Sequence, residues 1–382
     1  MKKYKEINAN QTEIINTIKL LIYKENPGLL EKIDFDDDEL FLEPLLFSYF
    51  NYKMENLLPN ELLTEFMQGY FVNKEELGIN YSFNENEIAY LPKLGYFKKN
   101  EPAFFEPIHV IENSNIEVFR HSINLLRNVF TDGSGNLISN SDIIFNNSLF
   151  GKNISYLTNA ISFIKEDSSE HYEIIEKCCK KILLFQTDPA NTNSFATIKA
   201  HGVAFFNVYQ DEYDEVFFID DIAHQTGHII LTTLFHNRKA VFKIDEEQNV
   251  EDLLKLKDHR TVYILLHALY TYYTTLLCLD NSLAKKRFNK RQEKEAIGRI
   301  GFYLNKCSND LNRFEKINDL YNGIENVLTD EGIEIYNSIK QKYSEAVQKW
   351  QTTINGFDYS NQTYNFTFKN FDALNTLEKT QS

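Results

Sequence analysis

Two histidines separated by three residues are the clearest chemical signal in the chain. His224 and His228 lie in the sequence HQTGH, between the largely apolar runs 216–223 and 229–231. Residues four apart project from one face of an α-helix, so both imidazoles can reach a single divalent metal ion. The spacing predicts a buried metal-binding helix over 216–235. Nine histidines in 382 residues would also give such a pair by chance in about one chain in five, so two structural histidines remain the alternative.

The residue after the first histidine argues against hydrolysis. In zinc peptidases with an HExxH motif, the glutamate deprotonates the metal-bound water. Gln225 stands at that position and has no basic carboxylate. The helix is therefore predicted to hold a metal ion while lacking the usual hydrolytic base.

A third histidine, His267, lies in a second apolar and aromatic segment that predicts a core helix over 261–280. A lone histidine in such a helix is more often a structural residue that satisfies its own hydrogen bonds. Two core helices that both carry histidines can instead supply three nitrogen ligands and leave coordination positions open for substrate and oxygen.

Arg260 precedes His267 by seven residues, which places it on nearly the same helical face about two turns away. It could bind a carboxylate of a molecule held by the metal ion. The alternative is an arginine at a helix start that pairs with Asp258 or with solvent. Arg238 and Lys239 are the substitute cations if Arg260 is structural.

The order of these motifs resembles that of the HExxH-type peptide β-hydroxylases, which depend on Fe(II) and 2-oxoglutarate and modify ribosomally made peptides. The resemblance covers roughly residues 195–345. It rests on the HxxxH pair, on the later Arg-x-x-x-x-x-x-His-Ala-x-Tyr of residues 260–270, and on Leu-Thr-Asp-Glu-Gly at 328–332. One position departs from the family pattern, because Gln225 replaces the usual glutamate. That change harms a hydrolase interpretation more than a hydroxylase one.

The resemblance implies a function and a set of site residues. His224, His228 and His267 would bind the iron, and Arg260 would bind 2-oxoglutarate. Oxygen would convert 2-oxoglutarate to succinate and carbon dioxide while a side-chain β-carbon of a ribosomally synthesised precursor peptide is hydroxylated. A zinc metallopeptidase-like protein, active or degenerate, is the second hypothesis, and a metal-free peptide-binding module is the third.

Composition limits the partners. The net charge is −15, and no basic block resembles a nucleic-acid footprint, which argues against DNA or RNA. No apolar run approaches the ~18 residues that a membrane span requires, so we expect no membrane partner. The four cysteines show neither CxxC spacing nor the density of a disulfide scaffold. These features predict a soluble protein of the reducing cytoplasm.

The pattern of the whole chain predicts a mainly α-helical α+β protein with a small β-sheet beside the buried HxxxH helix. We expect an N-terminal helical region over 1–105, a linker at 100–103, and a metal-binding catalytic region over 106–382. Within the second region, a helix is predicted near 115–131 and further helices through about 185. The β-branched and aromatic residues of 195–208 predict one or two strands, whose edge could bind a peptide or only cover the core.

Overall fold

The computed structural model describes residues 2–54, 61–73, 82–99, 104–362 and 364–376. The predicted linker at 100–103 lies outside these residues. The chain forms two compact units. The first unit comprises Met1–Thr158, Ile174–Glu212 and Thr232–Leu234, and the second comprises Asn159–Glu173, Tyr213–Leu231 and Phe235–Ser382. The predicted boundary after residue 105 therefore falls inside the first unit.

The first unit begins with helices α1 (Lys2–Glu25), α2 (Pro44–Met54) and α3 (Glu61–Met67). In α1 the buried residues recur with helical spacing, as at Ile7, Ile14, Ile18 and Ile22, so one apolar face enters the core. A three-stranded antiparallel sheet follows. Its strands are β1 (Ile88–Leu91), β2 (Gly95–Lys98) and β3 (Phe104–Glu106), in the order β1-β2-β3.

A five-stranded mixed sheet forms the centre of the first unit. Its strands are β4 (His109–Val110), β5 (Glu117–Phe119), β6 (Lys181–Phe185), β7 (Phe195–Ala196) and β8 (Val203–Asn207), in the order β4-β5-β6-β8-β7. The three inner strands β5, β6 and β8 are parallel, and β4 and β7 pair antiparallel at the edges. Every residue of β6 and β8 is buried, as apolar parallel strands require. The predicted strands of 195–208 are confirmed.

The helix predicted near 115–131 is wrong. This segment contains strand β5 and a short 3-10 helix over Asn124–Val129. Glu117 at the start of β5 accepts a hydrogen bond from buried Lys181 at 2.6 Å, and that pairing partner lies far along the chain. The helices predicted through about 185 end earlier, because α4 (Asn147–Asp167) and α5 (Ser169–Cys178) are followed by strand β6.

The second unit is helical. Its long helices are α6 (Glu215–Leu234, whose last three residues belong to the first unit), α8 (Val262–Ala284), α9 (Lys290–Leu320) and α10 (Asp330–Ile354), and its short ones are α7 (Val250–Leu254) and α11 (Phe368–Leu374). Side chains cap the starts of four of these helices: Asn249 for α7, Thr261 for α8, Asn289 with Gln292 for α9, and Thr329 for α10. Such caps satisfy backbone N–H groups that the first helical turn leaves free. The fold class predicted from the sequence, a mainly helical α+β protein, is confirmed.

Helix α8 is long and apolar enough to cross a membrane by length and composition, so the expectation that no such run exists is wrong. However, 72% of its most apolar window is buried within the protein, as in the core helix of a soluble protein. Asp280 near its end accepts hydrogen bonds from Lys342 and Lys349 of α10, at 2.7 and 2.6 Å. The helix is therefore joined to α10 by charges as well as by apolar packing.

Candidate metal centre

The two helices that carry the predicted ligands approach each other closely at Gly227. A Cβ atom at this position would lie 2.6 Å from Oγ1 of Thr274 and 3.4 Å from Cα of Thr271. Thr274 also donates a hydrogen bond from Oγ1 to the carbonyl oxygen of Ala223 at 2.8 Å. The absent side chain of Gly227 thus lets α6 and α8 pack nearly backbone to backbone.

This packing places the three predicted histidines in a row. The ring centres of His224 and His228 are 5.1 Å apart, and those of His228 and His267 are 4.7 Å apart. A metal–nitrogen bond of about 2.1 Å puts each ring centre about 3.2 Å from the ion, so two tetrahedral ligands have ring centres about 5.2 Å apart. Both neighbouring pairs therefore have the spacing of two ligands of one ion.

The directions of the ring nitrogens are less favourable than the spacing. Nε2 of His267 lies 3.2 Å from the carbonyl oxygen of His228 and must carry a proton to donate to it. Within the described ranges, no three His, Cys, Asp or Glu side chains converge well enough to hold a metal ion. The ring of His267 would have to turn before all three histidines could bind one ion.

One nitrogen in the row is a buried polar atom without a partner. Nδ1 of His224 is buried and makes no hydrogen bond among the described residues. A buried polar group without a partner is costly, and a bound metal ion would satisfy it. Among the three imidazoles, Nδ1 of His224 is therefore the atom that best fits a metal ligand.

All three imidazoles are held in the neutral form that metal binding requires. Burial lowers the pKa of His224 to about 3, and it lowers the pKa of His267 to about 4. The pKa of His228 also lies well below its ordinary value, first because of burial and then because of the two neighbouring histidines. A neutral imidazole keeps a lone pair for a metal ion without first losing a proton.

Gln225 is buried on the same helix as the two histidines, and its Nε2 donates a hydrogen bond to Oδ1 of Asp221 at 3.2 Å. The amide is therefore oriented by a carboxylate one turn earlier in α6. The side-chain amide of Gln225 therefore cannot act as a base that takes a proton from a metal-bound water molecule.

Arg260 is held by two carboxylates. Its Nε and Nη2 donate to Asp258 at 2.8 and 2.7 Å, and its Nη1 and Nη2 donate to Asp310 at 2.8 and 2.7 Å. The side chain is 28% exposed, whereas the two carboxylates are nearly buried. The structure thus places Arg260 in an ion-pair cluster with Asp258, Asp310 and Arg313.

The substitute cation, Arg238, lies near the other end of the histidine row. Its guanidinium carbon is 3.8 Å from the ring centre of Tyr263, and that ring centre is 5.3 Å from the ring of His267. Its positive charge contributes to the lowered pKa of His267. Arg238 also forms an ion pair with Glu247.

Three residues near His224 were not predicted from the sequence. The ring centres of Tyr303 and Tyr272 lie 5.8 and 6.4 Å from that of His224, and the positive charge of Lys306 acts on the same imidazole. Tyr303 and Lys306 are three residues apart in α9 and so share one face. That spacing was the available signal, but it is equally typical of a solvated helix face.

Comparison with models of protein families finds no match, and comparison with curated proteins finds no significant similarity. The interpretation of the site therefore rests on its own residues and on the motif resemblance.

Proposed function

We propose that the protein is an Fe(II)- and 2-oxoglutarate-dependent oxygenase that hydroxylates a side-chain β-carbon of a ribosomally synthesised precursor peptide. The observation that carries the proposal is the row of half-buried, neutral imidazoles of His224, His228 and His267, two of whose spacings match those of ligands to one ion. Nitrogen ligands of this kind suit both iron and zinc.

The residues of the chain would have distinct tasks in this function. His224, His228 and His267 would hold the ion, and their burial would limit the access of water to it. Bound iron and 2-oxoglutarate would supply the oxidising chemistry, with O2 consumed and with succinate and carbon dioxide formed. The aromatic rings of Tyr272 and Tyr303 would provide an apolar wall beside His224.

Gln225 favours an oxygenase over the zinc metallopeptidase hypothesis. Hydrolysis by an HExxH enzyme needs a base that takes a proton from bound water. The Gln225 amide is already donating to Asp221 and has no basic site. Oxygen chemistry at three histidines does not require that base.

The proposed location is the cytoplasm. Cys178, Cys179, Cys278 and Cys307 are all free and buried, so their thiols are compatible with a reducing compartment. The precursor peptide and O2 are the proposed partners in addition to the cosubstrate.

The proposal is tested by anaerobic titration of the Fe(II)-loaded protein with 2-oxoglutarate. Chelation should produce a visible charge-transfer band, and the band should be lost in His228→Ala. A protein that binds Fe(II) without ever giving the band is not an oxygenase of this class. A protein that binds neither Fe(II) nor Zn(II) would favour the metal-free peptide-binding module.

A further inference from the structure

A lysine that makes no ion pair among the described residues follows Tyr303 by one turn of α9, and the ring centre of Tyr303 lies 5.8 Å from that of His224. Lys306 projects from α9, and its Nζ donates to the carbonyl oxygen of Tyr364 at 2.5 Å. The ring centres of Phe302 and Tyr364 lie 4.5 and 4.8 Å from Nζ. In the part of the chain that the structure describes, Lys306 forms no ion pair.

The acidic groups that act on Lys306 make their ion pairs with other cations. Asp220 accepts from Nη1 of Arg299 at 2.6 Å. Asp310 accepts from Arg260 and from Arg313, each at 2.7 Å. Neither aspartate forms a direct ion pair with Lys306, although both charges act on it from a distance.

Partial burial makes the charge of Lys306 costly. Desolvation lowers the pKa of Lys306 to about 8, despite the opposing influence of Asp220 and Asp310. Isolated ammonium groups are expensive to remove from water unless an anion pairs with them. An incoming carboxylate would supply the missing anion.

The other cations around the histidine row are each committed to carboxylates. Arg299 pairs with Asp220 and with Glu295, and its side chain is only 4% exposed. Arg260 is held by two aspartates, and Arg238 is held by Glu247. Among these four cations, Lys306 is the one whose charge is available to a bound anion.

We propose that Lys306 binds a carboxylate of the small dicarboxylic acid used at the histidine centre, and that Arg260 is a structural residue. The identity of the acid as 2-oxoglutarate rests on the proposed function. An ammonium group has three N–H donors, and the contact with Tyr364 uses one of them. The acid can therefore bind without displacing that contact.

Tyr359 and Phe371, on either side of Tyr364 in the chain, pack closely against α9. A Cβ atom at Gly301 would lie 1.9 Å from the Tyr359 hydroxyl oxygen, and one at Gly298 would lie 2.8 Å from the ring of Phe371. These glycines allow residues 357–362 and 364–376 to pack closely on the helix.

The test compares the parent protein with Lys306→Met, Lys306→Arg and the control Lys316→Met, which changes an exposed lysine of the same helix. Calorimetric titration of each metal-loaded protein with 2-oxoglutarate and with succinate, under argon, measures the affinity for the acid independently of activity. Metal content and circular dichroism are recorded for every variant.

We expect Lys306→Met to keep its metal and its fold while its affinity for both acids falls by about tenfold to a hundredfold, the effect of one charge-assisted hydrogen bond. The affinities of Lys306→Arg and of Lys316→Met for both acids should stay within about threefold of those of the parent protein, because each variant keeps a cation at position 306. Equal affinities in Lys306→Met and the parent would overturn the proposal, and so would a parent that binds neither acid.

The charge-transfer band separates this proposal from the proposed function. If the binding of the acid depends on Lys306 but gives no charge-transfer band, the proposed carboxylate site stands and the proposed oxygenase function is wrong. A band with unchanged affinity in Lys306→Met would retain the oxygenase and remove only the role of Lys306.

Discussion

Replacing Arg260 with alanine should destabilise the second unit, because Arg260 neutralises two nearly buried carboxylates. The side chains of Asp258 and Asp310 are 6% and 5% exposed, and each accepts two hydrogen bonds from the guanidinium group. Without this cation, the two carboxylates would be nearly buried and less well compensated, which is energetically costly.

The size of the effect follows from the geometry of the cluster. Removing one partner of a buried ion pair typically costs about 3–5 kcal/mol. Two observations reduce this figure: Arg260 is 28% exposed, and Arg313 remains 3.3 Å from Asp258 and 2.7 Å from Asp310. We therefore expect Arg260→Ala to lower the free energy of unfolding by about 2–3 kcal/mol.

The single tryptophan provides an assay for this unit. Trp350 belongs to the second unit, and its Nε1 donates to Oδ1 of Asp280 at 2.9 Å. Urea unfolding followed by selective excitation of Trp350 therefore reports on the packing of α8 and α10. With a urea dependence of about 2 kcal/mol per molar, the midpoint of Arg260→Ala should fall by about 1–1.5 M.

Lys340→Ala is the control. It breaks an ion pair with Glu315 whose side chains are 49% and 44% exposed, so it should cost at most about 1 kcal/mol. If Arg260→Ala unfolds at the same urea concentration as the parent, the reasoning from buried charge is wrong. If that variant also loses about thirtyfold or more in affinity for 2-oxoglutarate, Arg260 is the cosubstrate cation expected from the motif.

Three further predictions concern the histidine row. Alanine in place of His224, His228 or His267 should each remove most bound metal, whereas His236→Ala should not; unchanged metal content in His267→Ala would exclude it as a ligand. Since the folded protein keeps these imidazoles neutral while the unfolded chain protonates them near pH 6.5, stability should fall as pH drops from 7 to 5. Each histidine should contribute about 2 kcal/mol to this loss of stability. If a His224→Asn protein had the same urea midpoints as the parent at pH 7 and at pH 5, the predicted contribution of His224 would be wrong. The parent protein, with Gln225, should show the oxidative activity without a Gln225→Glu substitution. If only the Gln225→Glu variant were active, and if it cleaved peptides with zinc, the metallopeptidase hypothesis would be favoured.

The sequence predicted the two histidine-bearing helices well. Helix α6 spans 215–234 against the predicted 216–235, and α8 spans 262–284 against 261–280. Both helices have continuous apolar surfaces and clear starts, and Thr261 caps the second. These signals are local, so they can be recognised without knowledge of the fold.

The failures involve partners that are distant in the chain. Strand β5 forms because its residues pair with β6, more than 60 positions later, and nothing within 115–131 indicates that pairing. The role of Arg260 as a substrate-binding cation stays a prediction, but its hydrogen bonds to Asp310, 50 residues further on, were not indicated by the local sequence. Lys306 was not singled out for the converse reason, since its lack of an ion pair among the described residues is visible only in three dimensions.

The burial of α8 also sets an order of events during protein synthesis. Most of its apolar surface is covered in the finished protein, yet α9 and α10, which pack against it, follow it in the chain. The end of α10 lies 70 residues (354 − 284) after the end of α8. At about 5–20 residues per second, the ribosome needs roughly 4–14 s to make that stretch. For those seconds the faces of α8 that α9 and α10 cover remain exposed, and a chaperone that binds apolar helical segments has a target there.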